Sequence, residues 1–188
     1  MKSAEQNTWK KISQTALTVL LATTAIGSEA ASVTISITGS ITPTTCTVST
    51  STISFALGAV SVAKFSGIGT GSDWVNRDLT LNCPSITGLN MDLTFTGNST
   101  AGSLRQYFAL PSNQGSGLTV ASGVAVELST TNASNGRITA TTTLSWRPTS
   151  SNSSNNYSYP LYARYVQTGA AVGAGSANAS YTMNITYK

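Results

Sequence analysis

The chain has 188 residues and a formal net charge of +4, and it contains no histidine. The missing histidine removes the commonest general base and the commonest zinc ligand of proteins. After residue 30 the basic residues are scattered, so the sequence lacks the basic stripe that nucleic-acid binding requires. We therefore expect no nucleic-acid partner, and the amino-acid composition argues against an enzyme.

Residues 1–30 have the layout of a secretory signal peptide. Three lysines precede the apolar run ALTVLLATTAIG at 16–27, and the small residues Ser28 and Ala30 follow it. A membrane-spanning helix is the alternative, but this run is shorter than the roughly 20 apolar residues that a span needs. We expect cleavage after Ala30, which leaves an exported mature chain of residues 31–188.

The mature chain begins with an alternating segment, ASVTISITGSI at 31–41. Its apolar positions share one side, and serines and threonines occupy the other. A period of two predicts a β-strand. Gly39 leaves a notch on the apolar side, and Pro43 closes the segment. The strand has no hairpin turn to a neighbour, so its pairing partner is an open question.

Further strand signals recur along the chain, separated by pieces rich in Gly, Asn and Ser. Alternating or apolar runs lie at 79–83, 91–95, 124–128, 143–146 and 159–166. The last run, 177–188, alternates throughout and predicts a long strand that is packed on one side. The polar stretch 147–160 predicts a solvated loop. Short strands with these turns predict an antiparallel sandwich or barrel.

Cys46 and Cys83 are the only cysteines. In an exported protein an even count favours one disulfide, with two buried free thiols as the alternative. The acids after residue 30 are Asp73, Asp78, Asp92 and Glu127. Asp73 and Asp78 lie five residues apart in a turn-rich stretch, where we expect solvated loop charges and not a catalytic pair. We find no phosphate-binding loop, so we expect no catalytic residues, no metal site, no cofactor and no small-molecule substrate.

Four features together resemble the pilins of the chaperone–usher pathway (the type 1 pilin-like family), which are fimbrial subunits of Gram-negative bacteria. The alternating arm carries TGSI with a glycine at Gly39, and the two cysteines stand at the positions of the family's disulfide. The segment LYARYVQTG at 161–169 is similar to a family segment before the last strand. Gly175 is the fourteenth residue from the end, and Tyr187 is the penultimate residue.

The resemblance implies an all-β fold: an incomplete immunoglobulin-like sandwich that lacks its last strand and is completed by donor-strand addition. It divides the chain into a signal peptide (1–30), an N-terminal donor-strand arm (31–42) and a pilin domain (43–188). The arm would have no partner in its own chain, because its partner would be another molecule. The donor-strand residues would be Val33, Ile35, Ile37, Gly39 and Ile41.

The same resemblance implies the partners and the function. The edge of the groove, where the chaperone or the next subunit docks, would be formed by Gly175, Tyr181, Met183, Ile185 and Tyr187. The partners would be a periplasmic chaperone, an outer-membrane usher and neighbouring pilin subunits. The implied function is that of a structural subunit of an adhesive fimbria, exported through the periplasm to the cell surface. The alternative is a glycan-binding adhesion module, either at the pilus tip or in another secreted protein.

Overall fold

The computed structural model describes residues 32–39, 46–49, 51–84, 89–100, 107–148 and 155–188. They fold as an all-β, immunoglobulin-like sandwich of two open sheets. The predicted signal peptide lies outside the described residues. Within these ranges the chain has short 3-10 turns but no helix that is long and apolar enough to cross a membrane.

Eleven strands of the described residues make up the two sheets. In spatial order, the first sheet contains β3 (Thr52–Ala56), β1 (Ser32–Gly39), β11 (Ala179–Tyr187), β5 (Met91–Thr96) and β9 (Thr143–Trp146). The second contains β2 (Thr47–Val48), β4 (Val75–Asn82), β10 (Asn156–Gln167), β7 (Val124–Ser129) and β6 (Phe108–Ala109), with β8 (Arg137–Ile138) beside β7. Only the pair of β1 and β11 is parallel among these strands.

The core lies between the sheets and follows the alternation in the sequence. Met91, Leu93 and Phe95 of β5 point inward from the first sheet, and Leu79 and Leu81 of β4 point inward from the second. The intervening residues of β5 face outward and are polar. Since one face of each of these strands is buried, a shift of one residue in pairing would place the apolar set in water, and this fixes the register.

The predicted disulfide between Cys46 and Cys83 is confirmed. It joins the residue before β2 to the residue after β4, and both cysteines are buried. The bond closes a loop with a sequence separation of 37 residues. A loop of this length corresponds to about 4 kcal/mol in the chain-entropy account of disulfide stabilisation.

The prediction of a solvated loop at 147–160 is wrong for its last part. β10 begins at Asn156, which pairs with Asn82 of β4, and residues 149–154 lie outside the described residues. Tyr157 is buried, and the ring of Tyr159 packs on that of Trp146 with centroids 4.9 Å apart. The run at 159–166 predicted a strand from Tyr159 onward, but the low-complexity composition before it gave no signal for Tyr157, whose packing supports the start of the strand.

Candidate functional site: the arm and its groove

The N-terminal arm forms β1, which lies between β3 and β11 in the first sheet. It pairs antiparallel with β3, from Ser32 opposite Ala56 to Ser36 opposite Thr52. It pairs parallel with β11, from Val33 opposite Ala179 to Gly39 opposite Ile185. Its backbone donors and acceptors therefore have partners on both sides along most of the strand, as buried backbone groups require.

The apolar side of the arm faces the core. Val33 and Ile35 are both 0% exposed, whereas the intervening Thr34 and Ser36 are half-buried. At about 1.5–3 kcal/mol for each buried aliphatic side chain, these two residues contribute an upper bound of roughly 3–6 kcal/mol. The backbone of Ile37 lies opposite Met183, and Ile41 lies outside the described residues.

The expectation that the arm has no partner in its own chain is wrong for this structure. The strand that fills the space between β3 and β11 comes from the same molecule. The physical reason is proximity: only six residues, 40–45, separate β1 from Cys46, so the local concentration of this strand at its own groove is high. Sequence reasoning found the strand and its apolar side but placed its partner in a different molecule.

β11 forms one wall of the groove. Its residues Tyr181, Met183 and Ile185 point inward and are buried; their assignment to the groove edge stays a prediction. The hydroxyl of Tyr181 donates to the backbone carbonyls of Phe108 at 3.3 Å and Ala109 at 3.2 Å, which ties the first sheet to the second. Burial raises the pKa of Tyr181 well above its ordinary value, with a smaller contribution from the nearby Tyr165.

The other two residues predicted at the groove edge lie beyond the buried stretch of β11. The hydroxyl of Tyr187 donates to the carbonyl of Cys46 at 3.1 Å, so the end of β11 is held beside the point where the arm joins the domain. Gly175 precedes β11 and is not part of it. A Cβ there would lie 2.5 Å from the nitrogen of Ala121, which indicates that glycine permits the close approach of the 119–121 segment.

A buried ion cluster that the alternating pattern did not predict lies on the outer face of the second sheet. Glu127 is 0% exposed, and its two carboxylate oxygens accept hydrogen bonds from Arg137 Nε at 2.6 Å and Arg164 Nε at 2.8 Å. The guanidinium of Arg137 lies over the ring of Tyr107, and that of Arg164 lies over the ring of Trp74. Both arginines thus combine an ion pair with an aromatic contact.

The sequence did contain a signal for this cluster. Alternation in VAVEL placed Val124, Val126 and Leu128 inward and thereby left Glu127 facing solvent. However, the outer face of the run at 159–166 carries Tyr162 and Val166 beside Arg164, which indicates that the outer face of the second sheet is also partly covered. A buried carboxylate requires such paired partners, because an isolated charge in the interior is strongly unfavourable.

A cleft of about 380 Å³ lies beside β5 and β9, at the end of the sandwich where Tyr187 contacts Cys46. It is lined by Asn90, Met91, Asp92, Ser145, Trp146, Arg147 and Lys188. Lys188 Nζ contacts the carboxylate of Asp92, and Ser145 Oγ donates to the same group at 2.9 Å. These two hydrogen bonds, with that from Lys188 the larger influence, lower the pKa of Asp92.

The chain belongs to the fimbrial protein family, because the family model described as Fimbrial protein matches residues 35–188. The S-fimbrial adhesin protein SfaS of Escherichia coli O6:K15:H31 (strain 536 / UPEC) is 29% identical over 164 residues. That match covers 87% of this chain and 90% of the relative. Proteins of this family are surface appendages of bacteria that assemble with other subunits or mediate adhesion.

Two solved structures also resemble the chain. An antigen and type I fimbria protein of Burkholderia pseudomallei aligns with a TM-score of 0.47 and 18% identity, covering 84% of this chain and 92% of that one. The CupB6 tip adhesin of Pseudomonas aeruginosa aligns with a TM-score of 0.49 and 16% identity. In that case the alignment covers 80% of this chain and 39% of the adhesin.

Proposed function

We propose that this protein is a structural subunit of an adhesive fimbria and that it polymerises by donating its arm, residues 31–42, to the groove of a neighbouring subunit. The observation that carries the proposal is the position of β1. It supplies an interior strand of the first sheet, yet it is joined to the rest of the domain only through residues 40–45. An equivalent strand from a second molecule has the same side chains and the same backbone groups to offer.

The energetics of the groove support this role. Without the arm, β3 and β11 would each expose an unpaired edge, and the inner side chains between them would face water. The roughly 3–6 kcal/mol assigned to Val33 and Ile35 is a large part of the 5–15 kcal/mol that typically stabilises a whole domain. An occupant of the groove, from whichever molecule, therefore decides whether the subunit is firmly folded.

The resemblance supplies the rest of the proposal. The chain would be exported through the periplasm with the help of residues 1–30, protected there by a chaperone and assembled at an outer-membrane usher. Cys46 and Cys83 would form their disulfide in the periplasm, which is oxidising. We propose no catalytic role, because the sequence has no histidine and the cysteines are bonded to each other.

The experiment compares fimbriae on cells that produce the wild-type chain, Ile35→Asp or Ser36→Ala. Ile35 faces the core, and Ser36 is its outward-facing neighbour on the same strand. Electron microscopy should show fimbriae with wild type and with Ser36→Ala, and none with Ile35→Asp, because an unpaired carboxylate cannot enter an apolar groove. Normal fimbriae from Ile35→Asp would contradict polymerisation through the arm.

An adhesive role is the second candidate, and two observations favour it. The curated relative is named as an adhesin. The cleft beside β5 and β9 combines Trp146 with charged and amide side chains, a mixture of apolar surface and placed polar groups that is typical of ligand sites. Binding of the purified protein to a glycan array, with Arg147→Ala as a comparison, tests this role. Equal glycan binding by wild type and Arg147→Ala, or no binding by either, would count against the cleft as a ligand site.

A further inference from the structure

The direction of the arm determines which assembly it can form. Because β1 runs parallel to β11, residue 39 lies beside Ile185 near the end of β11, and Val33 lies beside Ala179 at its beginning. The arm thus enters the groove from the end of the sandwich where β11 finishes. Cys46, where the arm joins the domain, lies at that same end, since Tyr187 donates to its carbonyl. We call this the Cys46 end and the opposite one the Ala179 end.

The short connection restricts the arm to this direction within one molecule. From Gly39 to Cys46 the chain can span at most about 25 Å when fully extended. The backbone from Ala179 to Tyr187 extends over about 26 Å. A reversed arm would place Gly39 beside Ala179, so its connection would have to cover the whole length of β11 and also cross to Cys46. The chain is too short for that path.

We infer that arms exchanged in the observed direction join two copies of this chain into a closed dimer and not into a fibre. An arm that enters from the Cys46 end requires the donor's body to lie at that end of the acceptor. The acceptor's own arm leaves from the same end and so reaches the donor's groove. Both grooves are then filled reciprocally, and the contact is isologous, with neither arm nor groove left for a third molecule.

Growth of a fibre requires the other direction. The donor's body must lie at the Ala179 end, so that the acceptor's own arm remains available at its Cys46 end for the next molecule. Such a donor strand runs antiparallel to β11 and parallel to β3, the reverse of the two pairings that β1 makes here. The inference rests on the proposed function, because it assumes that an arm can fill a groove in a second copy.

Pairs of cysteines on the outward side of β1 and β11 can show whether a donated arm runs parallel or antiparallel to β11. Thr34 lies opposite Ser180 in the observed register, and Asn184 lies four residues further along β11, at about 13 Å from Ser180. A disulfide needs Cα atoms within about 7 Å, so a cysteine at 34 can reach only one of the two positions in a given direction. Reversal about the central pair of Ser36 and Thr182 would bring Thr34 beside Asn184.

The experiment uses full mature chains with one added cysteine each. Thr34→Cys chains are mixed with either Ser180→Cys or Asn184→Cys chains, unfolded together in acidic urea to suppress exchange with the native disulfide, refolded at high protein concentration and oxidised. Because the added cysteines are on different chains, a bond between them reports arm exchange. A single chain with both Thr34→Cys and Ser180→Cys is the control, and it should close internally as a monomer.

We expect a disulfide between chains in the Ser180→Cys mixture and none in the Asn184→Cys mixture. Light scattering should give the bonded species the mass of two chains. Dimers bonded through Asn184, or Ser180-bonded species longer than two chains, would overturn the closed dimer while leaving arm donation intact. No bond in either mixture, with the control chain closing as expected, would overturn the closed dimer and count against arm exchange itself. The fimbriae of the Ile35→Asp cells test the proposed function independently.

Discussion

Truncating Ile35 should destabilise the mature protein far more than changing its neighbour on the same strand. Ile35 is 0% exposed and lies between Ile53 of β3 and Tyr181 of β11 in the pairing register. Ile35→Ala removes apolar groups worth about 0.8 kcal/mol per methylene and leaves a cavity, which together give about 2–5 kcal/mol. For a domain of this size the melting temperature should fall by roughly 4–20 °C.

Thr34→Ala is the matched control, because Thr34 is on the same strand but points outward and is half-buried. We expect it to change stability by no more than about 0.5 kcal/mol. The assay is urea unfolding of both variants and wild type, followed by tryptophan fluorescence. If Ile35→Ala unfolds at the same urea concentration as Thr34→Ala, Ile35 is not seated in the core and the argument for the groove fails.

Two further predictions concern the domain behind the groove. Glu127→Gln should lower the free energy of unfolding by about 3–5 kcal/mol in urea titrations, because both arginines lose the carboxylate that neutralises them in a buried site. A change below about 1 kcal/mol would show that water screens the cluster. Alkaline pH should also destabilise the fold, because burial raises the pKa of Tyr165 to about 12, above the ordinary value near 10. The free energy of unfolding should therefore be constant with respect to this group below about pH 10 and fall as the pH rises toward 12. Thermal melts from pH 7 to 11 measure this loss, and Tyr165→Phe should reduce its slope.

The alternating runs predicted most of the fold, because a half-buried strand imposes a period of two on its own sequence. The arm, the long C-terminal strand and the inward residues of β5 all follow this rule. Glu127 did not, since its burial depends on the loops and arginines that cover the second sheet, which no local pattern encodes. The start of β10 at Asn156 was missed for a similar reason: Tyr157 acquires its packing partners only in the folded sandwich.

The local sequence pattern could not predict the pairing partner of the arm, for a different reason. Alternation identifies Val33 and Ile35 as a buried side but says nothing about which molecule supplies the groove. That choice depends on the length of the connection to Cys46 and on where the ends of β11 lie in space. The same two quantities determine the direction in which the arm can be seated.

The most direct test of the account is thermal melting of the domain without residues 31–42, with and without a peptide of sequence ASVTISITGSIT. The account predicts a domain that melts early and aggregates alone, and that gains a concentration-dependent increase in melting temperature when the peptide fills the groove. A peptide with aspartate in place of Ile35 should give no increase. A truncated domain that melts as high as the complemented one would show that the groove does not need its strand, and the central claim would be wrong.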